Sequence, residues 1–335
     1  MTRSNTPACC DGALPLVLSP HGKSCLWGGR RLRDVYSKDI DLFPLAETWE
    51  CSAHPDGQSI VRGGEFDGML LGDVLRLHPE YLGTNCGGEM PVLIKLIDAT
   101  ADLSVQVHPN DEYAALHENG QRGKTELWYV LDAEPGARII YGFEHDVDRE
   151  TVLESIASGT LSKLLQSVEV RKDDVFFIPA GTVHAICAGV LIAEVQQSSN
   201  ITYRLFDYDR ADKNGVRREL HIEKALDVAE LRSAESPRQP MRVLRYERGC
   251  AREQLCSCRY FTAERMLINT ERQRSLADLR TDESSFCVLL CTDGCGTIFC
   301  RDTHINFFSG DCIFIPASSA PLKLHGRATV LKVSL

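Results

Sequence analysis

The sequence predicts a mostly β protein made of two related β domains, with a few helices packed beside and between them. Three observations carry this. Short β-rich runs bounded by Gly, Pro, Asp and Asn dominate the chain. At 335 residues the chain is long enough for about two domains, each with a core of its own. One β-unit also occurs twice: KDDVFFIPA at 172–180 is echoed by SGDCIFIPA at 309–317.

The elements follow in chain order. Runs at 92–97, 103–107, 127–131, 137–141, 175–178 and 190–195 read as strands, and runs at 287–290, 297–300, 312–315 and 329–333 repeat that texture. The stretch 150–168 opens on acidic residues and places apolar side chains at helical spacing, as does 220–231. A weaker helical pattern lies at 68–77, within about 60–80. Before each Ile-Pro-Ala copy comes a β-run, a turn and a second β-run: LWYVLDAEPGARIIYG in one half, CVLLCTDGCGTIF in the other. An acidic turn, a strand and then Ile-Pro-Ala resembles a cupin, a small jelly roll. The expected architecture is therefore two cupin domains: a catalytic one over 1–240 and a degenerate one over 241–335.

Composition narrows the function. Lys plus Arg is 37 and Asp plus Glu is 47, a net charge of −10. Such a surface argues against nucleic-acid or anionic-membrane partners, while leaving room for a local basic pocket. No apolar run approaches a membrane span, and no secretory signal is read at the N-terminus. A cytoplasmic monomer or homodimer with free thiols is expected. There is no CxxC among the 14 cysteines. Cys9-Cys10 and Cys256-Ser257-Cys258 are too closely spaced for an ordinary zinc knuckle, and Cys287, Cys291, Cys295 and Cys300 read as thiols on strands.

Chemistry concentrates in the first copy of the repeat. In LSVQVH at 103–108, alternation puts Leu103, Val105 and Val107 on one face and Ser104, Gln106 and His108 on the other. In GKTELWYV at 123–130, Glu126 enters an otherwise apolar strand. It is either a strand-end partner of Lys124 or a metal ligand, because a lone buried carboxylate is costly. His184 follows the first Ile-Pro-Ala, and Pro321 takes its place in the second copy. The polar set thus occurs once while the apolar scaffold occurs twice, which points to function. Gln106, His108, Glu126 and His184 suit one divalent ion such as zinc. Lys95, Lys124 and Arg204 offer cations for a phosphate inside an acidic protein. Glu194 shares a face with Val190, Ile192 and Gln196.

At these residues the sequence resembles the type I mannose-6-phosphate isomerases in their shorter bacterial form. The likeness rests on LWGG at 26–29, ETWECS at 47–52, LSVQVHPND at 103–111, GKTE at 123–126, the 178–184 segment and the run 194–210. It implies zinc on Gln106, His108, Glu126 and His184, with one ion per chain. The family's catalytic arginine falls on Arg204, and Lys124 and Glu194 match other active-site positions; Lys95, a cation in an apolar strand, and Ser104, on the face of Gln106 and His108, are expected to contact the substrate. The implied reaction interconverts mannose 6-phosphate and fructose 6-phosphate through an enediol. The competing readings are another metal-dependent cupin sugar-phosphate isomerase, or a sugar-binding cupin without turnover.

Overall fold

The computed structural model describes residues 12–212, 214–235, 237, 243–271 and 275–335; Cys9-Cys10 lies outside them. The chain forms two compact units that are interleaved in sequence. One takes residues 20–58 and 91 into the 230s; the other takes residues before 20, 59–90 and those beyond 242. Residues 12–19 and 59–90 thus group with those beyond 242 rather than with the residues beside them in sequence.

The first unit is an antiparallel sandwich. Its strands are β1 (His21–Lys23), β2 (Glu47–Cys51), β3 (Val92–Asp98), β4 (Val105–Val107), β5 (Glu126–Ala133), β6 (Arg138–Phe143), β7 (Leu165–Glu169), β8 (Val175–Ile178), β9 (His184–Ile186), β10 (Val190–Gln197) and β11 (Tyr203–Phe206). One sheet runs β8-β5-β10-β3-β2-β1, the other β11-β4-β9-β6-β7. Residues directly opposite in a ladder share a face, so the register sorts the interior. In the first sheet Lys95 stands opposite Trp49 and Glu194, Glu194 opposite Trp128, and Gln196 opposite Glu126. In the second, Gln106 stands opposite His184 and Arg204. Ile97, Trp128, Val130, Ile139, Phe176, Ile178, Ile186, Val190 and Ile192 fill one buried cluster drawn from both sheets.

Helices α1 (Asp111–His117), α2 (Arg149–Ala157) and α3 (Ile222–Val228) contribute to a second cluster, with Val105, Val107, Phe143, Ala185 and Leu205 of the β11-β4-β9-β6-β7 sheet. Asn110 and Asp148 cap α1 and α2, their side chains accepting the N–H of Tyr113 and Thr151. The helix expected over 150–168 is only its first half. It stops at Ala157, Gly159 turns at a φ of 68°, a short 3₁₀ turn spans Leu161–Lys163, and β7 follows, pairing with β6. Ser-Gly-Thr at 158–160 is the break, since only glycine takes that φ freely. The 220–231 helix narrows to α3.

The second unit is one twisted antiparallel sheet. Its order is Arg245–Glu247, Cys250–Ser257, Thr262–Asn269, Leu322–Ser334, Cys287–Cys300, Cys312–Ile315, Leu16–Ser19 and Ile60–Arg62. Two expected strands, 287–290 and 297–300, are one 14-residue strand carrying buried Cys287, Cys291 and Cys300 and exposed Cys295. The helix read at 68–77 is Leu71–Leu77. No helix among the described residues is long and apolar enough to cross a membrane.

Candidate metal centre

The candidate residues sit on rigid pieces of the first unit. Gln106 is the middle residue of β4, His108 follows that strand, Glu126 opens β5 and His184 opens β9. Two of the sequence motifs lock together to place them. Asp111 accepts the Gly123 N–H and the Gln197 amide at 2.9 Å each, and Lys124 N–H donates to Pro109 O at 3.0 Å. Gly123 is required by this close approach: a Cβ there would lie 2.4 Å from the Asn110 carbonyl carbon. Gly29 has a similar role in LWGG. A Cβ at Gly29 would meet the Asp98 carboxylate, which accepts the Arg31 N–H and Nε–H at 2.8 and 2.6 Å.

His108, Glu126 and His184 are buried, and one ligand atom from each lies within 4.8 Å of the others. His108 Nδ1 is 2.8 Å from Ile201 O, and His184 Nδ1 is 2.8 Å from Thr182 O. A carbonyl can only accept, so both Nδ1 atoms carry the hydrogen and both Nε2 atoms present lone pairs. Burial drives the two imidazoles toward the neutral form; Lys124 adds to this, and His108 falls to about 3. Glu126 lies between them, Oε1 at 3.2 Å from His108 Nε2 and Oε2 at 3.6 Å from His184 Nε2. Both of its oxygens are buried; Oε1 takes an ion pair from the Lys124 ammonium, and Oε2 has no hydrogen-bond partner. Burial pushes this carboxyl up, and the Lys124, His108 and His184 side chains outweigh it and hold it well below the carboxylate range. Two imidazole nitrogens and a carboxylate oxygen converging at one buried point are a donor set that fits a divalent metal, with the Lys124 ammonium balancing the carboxylate in this arrangement.

Gln106 lies beside this cluster. Its amide nitrogen is 3.5 Å from His184 Nε2, and its oxygen accepts from Ser104 Oγ at 3.3 Å. A half-turn of the amide exchanges the two atoms. Ser104 thus touches Gln106. Lys124 contacts both Glu126 Oε1 and His108 Nε2, the latter at 3.1 Å. The ion-pair and metal-site readings of Glu126 therefore describe one cluster.

Lys95 and Glu194 form a neighbouring buried pair. Lys95 Nζ is 3.0 Å from Glu194 Oε2, and Glu194 Oε1 accepts the Trp128 indole N–H at 2.9 Å. The same indole meets the His184 ring edge-on at 5.3 Å between centroids, joining the two groups. Burial, then the Glu126 charge, raises the Glu194 carboxyl. Burial alone would lower Lys95, but Glu194 and Glu47 outweigh it and raise it.

Arg204 shares the Gln106 face, and its Nε is buried without a partner. Burial, then Arg218, lowers it. Beside it a cleft of about 520 Å³ is lined by Cys25, Trp27, Phe43, Asp207, Arg210 and Arg218 among others. Asp207 is already engaged, accepting from Arg210 and Arg218 at 2.5 Å each. Arg210 and Arg218 were not singled out from sequence; the signal available was an arginine-rich stretch that follows β11 without a strand pattern of its own.

Residues 16–130 match the family model described as phosphomannose isomerase type I, catalytic domain. A mannose-6-phosphate isomerase of Bacillus subtilis, ManA, is 38% identical over 94% of this chain and 96% of its own. A mannose-6-phosphate isomerase of Streptococcus mutans is 44% identical over 64% of this chain and 68% of its own. The crystal structure of the mannose 6-phosphate isomerase from Bacillus subtilis superposes with a TM-score of 0.89 at 34% identity, covering 96% of this chain and all of that one. The two-cupin architecture, the donor cluster and these relatives lead to one conclusion: the chain belongs to the type I mannose-6-phosphate isomerase family.

Proposed function

We propose that this chain, an isomerase by family, interconverts mannose 6-phosphate and fructose 6-phosphate while holding one zinc ion on Gln106, His108, Glu126 and His184. The observation that carries the reading is the convergence of the buried Glu126 carboxylate and the His108 and His184 imidazoles, one ligand atom of each lying within 4.8 Å of the others. Zinc bound there supplies positive charge beside the sugar oxygens on which negative charge develops.

The reaction moves one proton between C2 and C1 through an enediol. The base must reach that proton and must not hold its own proton too weakly. Glu194 suits this, since burial raises its carboxyl and the Trp128 and Lys95 contacts fix its direction. Lys124 is the alternative base, and in this assignment it instead polarises the sugar oxygens. Arg204, with no ion pair among the described residues, offers its charge to the enediolate or the phosphate. Lys95 balances Glu194 near the substrate, and Ser104 orients the Gln106 amide. Free cysteines throughout the described residues support a cytoplasmic setting.

The test is a coupled assay for fructose 6-phosphate formed from mannose 6-phosphate, with and without chelator. Turnover that stops with chelator and returns with zinc is the expected result. No turnover of mannose 6-phosphate by the zinc-loaded chain, alongside turnover of another aldose phosphate, would overturn the substrate assignment.

A further inference from the structure

Cys256 and Cys258 play no part in the reaction above, yet they are placed for chemistry. They lie where the strand Cys250–Ser257 turns into the strand Thr262–Asn269. Ser257 stands opposite Thr262, and their hydroxyls meet at 3.2 Å on one side of the hairpin. Side chains alternate, so Cys256 and Cys258 leave toward the other side. The ladder slips between Gln254 and Cys256, just before the pair. The turn then closes with Cys258 N–H donating to Phe261 O at 3.0 Å. The Cys256 thiol lies within electrostatic reach of the Cys258 sulfur, and the Cys258 S–H donates to Phe261 O at 3.4 Å. Both residues are part-exposed, unlike Cys287, Cys291 and Cys300.

We propose that Cys256 and Cys258 form a reversible dithiol, a site that closes to a disulfide by exchange with a low-molecular-weight disulfide. The electrostatics divide the labour between the two sulfurs. The hydrogen bond from Cys256 lowers Cys258 to about 6 against the opposing effect of burial, and the backbone N–H groups of Tyr260 and Phe261 add to it. Cys256 is raised by the same hydrogen bond and by burial. The Cys258 thiolate therefore attacks first, since the thiolate is the nucleophile. An S–S bond of the reagent breaks, Cys258 becomes a mixed disulfide, and one thiolate leaves and takes a proton. Cys256 then gives up its proton and attacks the Cys258 sulfur, expelling the second thiolate. Two protein thiols lose two electrons and the reagent disulfide is reduced to two thiols. The elsewhere-buried cysteines lack this path: burial pushes Cys287 and Cys291 up to about 12.

Trypsin isolates the pair. Cleavage after Arg252 and Arg259 releases the peptide 253–259, whose cysteines are Cys256 and Cys258 alone. The full-length chain is treated with oxidised glutathione, its remaining thiols are alkylated, and the digest is weighed. The expected product is an unalkylated 253–259 peptide lighter by two hydrogens, restored to the doubly alkylated form by dithiothreitol. Cys256→Ser is expected to stop at a glutathione adduct on Cys258, and Cys258→Ser to give neither adduct nor closure at wild-type rate. A wild-type peptide that stays doubly alkylated, or that keeps a glutathione adduct without closing, would overturn the proposal.

Discussion

Glu126 shows what a single side chain contributes to the cluster. Its carboxylate supplies the only negative charge among the four proposed ligands, so Glu126→Gln keeps the shape and removes that charge. The expected outcome is loss of nearly all bound metal, read by elemental analysis of the purified variant, with turnover lost as well. Full metal content would take Glu126 out of the ligand set. Arg204→Ala tests the other half of the site. Metal content should hold while kcat falls by about 10²–10³-fold, the typical effect of removing one preorganised donor aimed at developing charge. Unchanged kinetics would make Arg204 structural. Glu126 stood out in the sequence as a carboxylate in an apolar strand that the second repeat copy lacks, and Arg204 as a cation in an otherwise apolar and aromatic run. Arg210, Arg218 and the Trp128 bridge between His184 and Glu194 were not legible there, because their roles arise from contacts between segments whose local pattern says nothing about the cleft.

β2 illustrates how an element holds polar groups on both faces. Trp49 faces Lys95, while Glu50 points the other way and is fully buried. Glu50 takes an ion pair from Lys38 at 2.6 Å and a hydrogen bond from Thr48 at 2.6 Å. Breaking a buried ion pair by removing one partner is costly, so Glu50→Ala should cost about 3–5 kcal/mol in urea unfolding. A loss near zero would mean that Lys38 finds water or another partner. The segment after β11 carries a pH-dependent contribution. Burial pushes the Asp207 carboxyl up, and the Arg218 and Arg210 guanidiniums outweigh it and hold it below its ordinary value of 3.8. A carboxyl depressed in the folded state stabilises at pH above its unfolded value, and that contribution is lost as pH falls through the folded one. Between about pH 5 and about pH 3 the wild type should therefore lose more stability than Asp207→Asn. Equal slopes would remove Asp207 from the acid response. Strand existence was readable from alternation, and 175–178 and 312–315 fall where expected. The 150–168 helix was overextended because Leu161, Leu164, Leu165 and Val168 continue a helical spacing across the glycine that ends α2.

At the scale of the whole molecule, a metal that binds the folded state and not the unfolded chain adds RT ln(1 + [L]/Kd) to stability. That is about 2.7 kcal/mol at a free ion concentration ~100 times Kd. Thermal unfolding with chelator should begin at lower temperature than with zinc, and Glu126→Gln should show no such difference. A zinc-dependent shift of wild-type size in that variant would place the stabilising ion elsewhere. The two-domain plan was legible from the repeat, but the interleaving was not. The strand Leu16–Ser19 pairs with Cys312–Ile315, and nothing in the local pattern of either marks a partner so distant. That pairing has a consequence for biosynthesis. Until Cys312–Ile315 has been made, the strand Leu16–Ser19 has nothing to lie against on that side, and a chain stopped between the two leaves a bare β edge available to other nascent chains.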